Sequence, residues 1–274
     1  MAAAPRACED GLWLRCYVRR PRASGQIVCF GPAGATASFF RGWAEHAPAD
    51  VEVWALAYPG RERRAAEPPI HHMDELADRI VAELKPRLTR PTLLLGHSMG
   101  ASVAFEVTRR MEAAGVPPTA LVISGRPGPR RQRDAPRDLH TFGDTEIVAY
   151  LRTLGGTPTE LLDDPEIRGL ILPAFRADFA LIGRYRPALH PPVATPATII
   201  WGDRDPDVGP DDVGDWSAVL RRLRGARSYP GAHFFLSDLA AKVVDHASTL
   251  LAVEAATRAP ARPRGDRRSP AAGV

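Results

Sequence analysis

The stretch LLLGHSMGASVAFEV, residues 93–107, constrains the fold more than any other part of the chain. Three leucines lead to Ser98 between Gly96 and Gly100, a G-x-S-x-G pattern, after which apolar residues recur every three or four positions. The first part has the near-continuous hydrophobicity of a strand covered on both faces, and the last has the periodicity of a helix. A strand-to-helix turn this sharp strains the backbone of the residue at its apex, and a side chain at either glycine would collide with the neighbouring strand or helix. Such a turn belongs in an α/β sheet, where it lifts the serine hydroxyl clear of the strand end. The competing reading is a helix N-cap serine, common in helical proteins generally. Both glycines and the strand context favour a nucleophile.

The rest of the chain repeats this alternation. Short β-branched or leucine-rich runs stand at 25–31 (GQIVCFG), 51–60 (VEVWALAYPG), 91–98, 119–126 (TALVISGR), 197–203 (ATIIWGD) and 226–231 (ARSYPG). Between them lie the helical patterns MDELADRIVAELKPRL and SVAFEVTRRMEAAG, the second closed by Gly115 as a C-terminal cap. Strand, helix, strand, helix predicts a mostly parallel, doubly wound α/β sheet. LWLRCYVRR, ahead of the first run, fits an antiparallel edge strand. No internal repeat is visible.

One interval breaks the rhythm. About seventy residues separate Arg126 from Ala197, far more than a crossover needs. This insertion, about 139–190, carries DTEIVAYLRTLGG and DPEIRGLILPAFRADFALIGRY, in which Leu172, Phe175, Phe179 and Ile182 recur at helical spacing. Core packing accounts for such a stripe; the functional alternative is a lid whose apolar underside roofs a substrate channel. The final helix, SDLAAKVVDHASTLLAVEAA, starts at a serine or aspartate cap. The domain is expected to occupy residues 1–255, with an Arg- and Pro-rich tail over 256–274 that reads as disordered.

A serine hydroxyl is a weak nucleophile until a base takes its proton, and the base needs a carboxylate to orient it. On this type of sheet the order along the chain is serine, acid, histidine. The run ATIIWG ends in GDRDPD, which offers Asp203, Asp205 and Asp207 at a strand end. Asp205 is favoured because the turn there has cleared the sheet; Asp203 is second, and Asp207 reads as a solvated turn residue. His233, in SYPGAHFFL just ahead of the last helix, is the natural base. His46, His71, His72 and His246 carry no such context, and His97 lies upstream of the serine and points elsewhere on the turn. Two backbone N–H groups should face the developing oxyanion. Met99 follows the nucleophile, and in the loop CFGPAGATASFF the second donor is Ala33, since Pro32 has no N–H. That loop lacks the G-x-G-x-x-G spacing of a dinucleotide site, and no H-E-x-x-H or cysteine pair suggests a metal.

Charge excludes one class of partner. The formal charge is +4, yet residues 255–274 hold five arginines against one acid, which leaves the body neutral by count. Nucleic-acid binding needs excess charge on the folded surface, so it is not expected. Cys8, Cys16 and Cys29 form no disulfide or zinc spacing, which suits a reducing compartment. No window approaches the ~18 apolar residues of a membrane span, and MAAAPRACEDGLWLRCY lacks a signal-peptide core. The expectation is a soluble, monomeric, cytoplasmic protein without membrane or metal.

Taken with YPGRERR (58–64), LVISGRPGP (121–129), LGGTP, LPAFRADF and GAHFFL, the elbow makes the sequence resemble the α/β-hydrolase superfamily, and within it the type II thioesterases that accompany polyketide and nonribosomal peptide synthases. The resemblance spans nearly all of residues 10–255. It implies an α/β-hydrolase fold with a helical lid, and hydrolysis of misprimed or stalled acyl groups from the phosphopantetheine thiol of acyl or peptidyl carrier proteins. Ser98, Asp205 and His233 then take the triad roles and Met99 and Ala33 the oxyanion roles. No cofactor belongs to the enzyme, because phosphopantetheine arrives on the carrier. Gly31, Pro32 and Ala35 in the loop, and Gly-Ala-His in place of Gly-Gly-His, depart from the family's usual pattern. Carrier proteins are generally acidic, so Arg61, Arg63 and Arg64 are candidates to meet them, with a solvated turn as the alternative. A chain-releasing thioesterase, a small-ester carboxylesterase and a noncatalytic binding protein on the same fold remain open. Met1 close to the first strand and the lack of a D-S-L carrier motif disfavour an excised terminal domain, and no triad member is missing.

Overall fold

The computed structural model describes residues 11–134 and 138–258. The tail expected from residue 256 therefore lies outside the described residues from 259 on, while 256–258 continue the last helix.

The apolar runs form one seven-stranded sheet: β1 (Leu14–Cys16), β2 (Gly25–Phe30), β3 (Val51–Leu56), β4 (Thr92–His97), β5 (Ala120–Ser124), β6 (Ala197–Gly202) and β7 (Leu223–Tyr229), in spatial order β1-β3-β2-β4-β5-β6-β7. β1 pairs antiparallel with β3, Leu14 opposite Leu56, and all other pairs are parallel. The mostly parallel α/β sheet read from the sequence is thus what forms, edge strand included.

Side chains alternate across the pleat and build two cores. Val28, Phe30, Leu94, Leu121 and Ile123 join one; Ile27, Cys29, Leu93, Leu95 and Val122 join the other. Each residue of β2 to β5 is buried because helices cover both faces, which is why these strands show no polar alternation. β7 is the exception: as an edge strand it exposes most of LRGARSY, and it starts three residues earlier than its apolar content suggests.

The helices are α1 (Trp43–His46), α2 (Met73–Leu84), α3 (Met99–Ala113), α4 (Pro129–Asp134), α5 (Asp144–Leu154), α6 (Thr159–Asp163), α7 (Pro165–Arg184), α8 (Pro210–Ser217), α9 (Phe235–Asp238) and α10 (Ala240–Arg258). α2 and α3 pack on one face of the sheet, α1 and α10 on the other. The final helix is therefore broken in two at Leu239 rather than continuous from Ser237. Gly115 sits at φ +71° just past α3, as its C-terminal cap role requires. The insertion between β5 and β6 supplies α5, α6 and α7. In α7 Asp164 caps the first turn, accepting from the N–H groups of Glu166 and Ile167 at 2.8 and 3.2 Å.

Candidate active site

Ser98 stands at the end of β4 with φ 54° and ψ −119°, a left-handed backbone that a non-glycine residue adopts only under strain. Tight packing enforces it. A Cβ on Gly96 would lie 2.2 Å from the Gly100 carbonyl oxygen, and one on Gly100 would lie 2.1 Å from that of Phe30. The Ser98 N–H donates to the Ser124 carbonyl on β5 at 2.8 Å. Its hydroxyl makes no capping hydrogen bond to α3, which starts at once with Met99 rather than at Ser102, so the N-cap alternative does not describe this serine.

The next two strands bring the acid and the base together. After β6 the chain turns, Asp205 N–H donating to the Gly202 carbonyl at 3.0 Å, and the Asp205 carboxylate meets His233 Nδ1 at 2.8 Å. Both side chains are out of solvent, 0% and 3% exposed. The other Asp205 oxygen accepts from the Asp207 N–H at 2.9 Å, which fixes the carboxylate's rotation. β6 and the histidine loop approach so closely that a Cβ on Gly202 would lie 2.3 Å from the Ala232 carbonyl oxygen. With Nδ1 committed to the acid, Nε2 is the face left for chemistry; it is buried and has no hydrogen-bond partner among the described residues. Ser98 and His233 line the same cavity.

That cavity has a volume of about 280 Å³ and an apolar roof of Phe175, Phe179 and Ile182 from α7. Ala33 borders it beside Ser98. Ala33 occupies a tight turn in which Ala35 N–H donates to the Pro32 carbonyl at 3.1 Å and Gly34 takes φ +72°. The backbone N–H groups of Ala33 and Met99 make no hydrogen bond among the described residues.

Several residues stand elsewhere than the sequence suggests. Leu172 is buried in the core but does not line the cavity; Ile171 does instead. Asp203 does not pair with the histidine ring; it accepts from the Gly231 N–H at 2.9 Å. Asp207 is no solvated turn residue: it borders the cavity and accepts from the Tyr150 hydroxyl of α5 at 3.0 Å. Of the three arginines in YPGRERR only Arg63 is exposed. Arg64 lies over the Trp13 ring and donates to Glu67 and the Ala57 carbonyl, and Arg61 forms a buried two-pronged pair with Asp178. Neither is at a surface. His97 does not point away: its ring lies 5.0 Å from that of His233, and its Nδ1 hydrogen-bonds the Ser124 hydroxyl at 3.0 Å. Burial, then the neighbouring His233, hold the His97 pKa well below its ordinary value, so it is a neutral ring. Only its place beside Ser98 could have signalled that role.

Among the described residues no His, Cys, Asp or Glu group is arranged to hold a metal ion, and no helix is long and apolar enough to cross a membrane.

The arrangement suits covalent acyl transfer: a strained, half-buried serine and a carboxylate-oriented imidazole share an apolar cavity. The chain as a whole is similar to known proteins. The thioesterase domain family matches residues 25–251. Over 243 residues the chain is 37% identical to the thioesterase PikA5 of Streptomyces venezuelae, covering 87% of this chain and 85% of that protein. It is 35% identical over 214 residues to the gramicidin S biosynthesis protein GrsT of Aneurinibacillus migulanus, covering 78% and 83%. Among solved structures, the type II thioesterase BorB from the borrelidin biosynthetic cluster superposes with a TM-score of 0.82 at 35% identity, covering 89% of this chain and 100% of that one.

Proposed function

This chain belongs to the thioesterase domain family, and we propose that it is the stand-alone editing enzyme of a polyketide or nonribosomal peptide synthase, with Ser98, His233 and Asp205 as its catalytic triad. It is a hydrolase of acyl thioesters on an α/β-hydrolase fold with a helical lid. Its proposed substrates are aberrant or stalled acyl groups on the phosphopantetheine thiol of acyl or peptidyl carrier proteins. The arm arrives on the carrier, so the enzyme brings no cofactor of its own; the reading also keeps it monomeric and cytoplasmic.

The chemistry follows from the geometry. Ser98 Oγ attacks the thioester carbonyl as His233 Nε2 takes its proton, and the carbonyl oxygen becomes an oxyanion facing the N–H groups of Ala33 and Met99. Asp205 holds the Nδ1 proton and stabilises the imidazolium. Collapse breaks the C–S bond, and the departing pantetheine sulfur takes the proton from His233. A thiol of pKa near ~8.5 leaves with less acid help than an amine. Water, deprotonated by the same nitrogen, then attacks the acyl-serine and releases the acid. Ser98 and His233 come into hydrogen-bonding distance when substrate is seated, as such pairs commonly do.

The observation that carries this reading is the buried 2.8 Å Asp205–His233 contact facing the cavity that Ser98 lines. It is tested with a panel of short acyl carriers and matching oxygen esters, release being followed by intact-protein mass spectrometry. Release from several carriers, lost in Ser98→Ala, is expected. Turnover of oxygen esters alone would overturn the carrier assignment, and carrier turnover unchanged in Ser98→Ala would overturn the triad.

A further inference from the structure

The YPGRERR segment and the lid helix meet at the turn that carries Ala33. The two Asp178 oxygens each accept from Arg61, Nη1 and Nη2 both at 2.7 Å, and side-chain exposures are 5% and 6%. Asp178 also accepts from the Gly34 N–H at 2.7 Å, and Arg61 Nη1 reaches the Ala35 carbonyl at 3.2 Å. The Gly34 N–H and the Ala35 carbonyl, the two groups that follow Ala33 in the turn, are therefore bonded to one ion pair. Two further contacts come from the same segment: the Tyr58 hydroxyl donates to the Gly31 carbonyl at 3.3 Å, and Glu62, itself at φ +47°, accepts from the Ala37 N–H at 3.3 Å. From the other side α7 presses directly on the turn, since a Cβ on Gly34 would lie 2.2 Å from the Phe175 ring.

We propose that Asp178 and Arg61 are positioning residues for the reaction: the lid helix holds the Ala33 N–H in its oxyanion-binding place through this buried pair, so that oxyanion stabilisation depends on α7 being seated. A buried ion pair is a poor source of net stability, because desolvation offsets its attraction. A two-pronged guanidinium–carboxylate contact does supply fixed geometry. Here the geometry it fixes is that of a backbone donor, since Gly34 N–H and Ala35 C=O are the groups it engages. Asp178 lies 144 residues from Gly34 and 117 from Arg61, on an element that also roofs the cavity. Acyl-chain binding under the lid and stabilisation of the reacting carbonyl thus share one helix. The assignment rests on the reading of Ser98 as nucleophile.

The test uses the full chain with an acyl N-acetylcysteamine thioester, and an acyl trifluoromethyl ketone that forms a tetrahedral oxyanion on a serine. Two variants are compared: Asp178→Asn, which breaks the charge pair, and the double variant Arg61→Met with Asp178→Val, which removes both charges and leaves none buried alone. Loss of a whole oxyanion donor costs on the order of 10² to 10³ in rate, and a displaced donor is expected to cost about 10- to 100-fold. The expected result is that fall in kcat with KM within about twofold and the ketone weakened in parallel with kcat/KM, while the melting transition is retained. A merely structural pair would lower the melting temperature and leave kcat and ketone affinity alone. Wild-type kcat and ketone affinity in the double variant would overturn the proposal, as would a rise in KM alone. If one variant does not fold, the other carries the readout. Failure of the nucleophile assignment is separate: Ser98→Ala would then still turn over the same thioester.

Discussion

His97 adjoins the proposed nucleophile Ser98 in sequence and the proposed base His233 in space, yet its ring serves as packing. Its folded-state pKa lies below the value of about 6.5 expected in the unfolded chain. Below that pH the unfolded chain binds a proton that the folded one refuses, so this contribution to stability is complete above about 6.5 and falls with acid, by up to about 1.4 kcal/mol per pH unit until the folded pKa is reached. Urea unfolding of wild type and His97→Gln from pH 7 to pH 5 should show a smaller acid loss in the variant; equal losses would show that His97 is not the group responsible. Residues of this kind mark the limit of reading a sequence. Ser98, Asp205 and His233 were legible as candidates because each follows a strand end, where local pattern states the backbone geometry. Arg61 and Arg64 could not, because a guanidinium looks alike in sequence whether solvated or buried. What buries Arg61 is Asp178, 117 positions away. Asp207 was obscured in the same way by Tyr150, 57 positions distant.

At the scale of the element, α7 was legible as an amphipathic helix, but its rotation was not. Period alone cannot say whether the cavity-facing stripe is read from Ile171 or from Leu172; in the structure Ile171 lines the cavity and Leu172 is buried without lining it. The two positions should separate function from stability. Ile171→Ala is expected to change the ratio of kcat/KM between short and medium acyl thioesters by a few-fold, on the basis of ~0.8 kcal/mol per methylene contact, with little loss of stability. Leu172→Ala should cost about 2–5 kcal/mol in chemical denaturation and leave that ratio in place. An acyl-length series with both variants reads the two effects side by side; an unchanged ratio in Ile171→Ala would mean that acyl chains do not reach this part of the roof. The same reasoning explains the breadth of the insertion. α5 is tied to the Asp205 loop by the Tyr150–Asp207 bond, and α7 is tied to the Ala33 turn by Asp178, so one cap touches both ends of the proposed catalytic apparatus.

Across the whole molecule, the alternation of strands and helices announced the sheet, whereas its spatial order came from crossovers that no local pattern records. That order places β5 between the strand bearing Ser98 and the strand preceding Asp205, with β7 and the His233 loop beyond it at the edge. Nothing in the triad is joined by short-range contacts: the Asp205–His233 pair spans 28 positions, and Ser98 lies on the far side of the insertion. Pairing β5 with β6 closes a loop of about seventy residues. Against a bare crossover of about a dozen this costs roughly 1.5 kcal/mol more in chain entropy if the insertion is structureless, and less as α5 to α7 form. Long-range parallel pairing is slow for this reason. On refolding from urea, far-UV helical signal should return before Ser98 accepts a fluorophosphonate; coincident recovery would indicate that sheet closure is not the late step. The proposed acid and base exist as a pair only where β6 and β7 have joined the sheet, and a molecule caught with those strands unpaired would carry an elbow and a lid yet remain inert toward every acyl thioester around it.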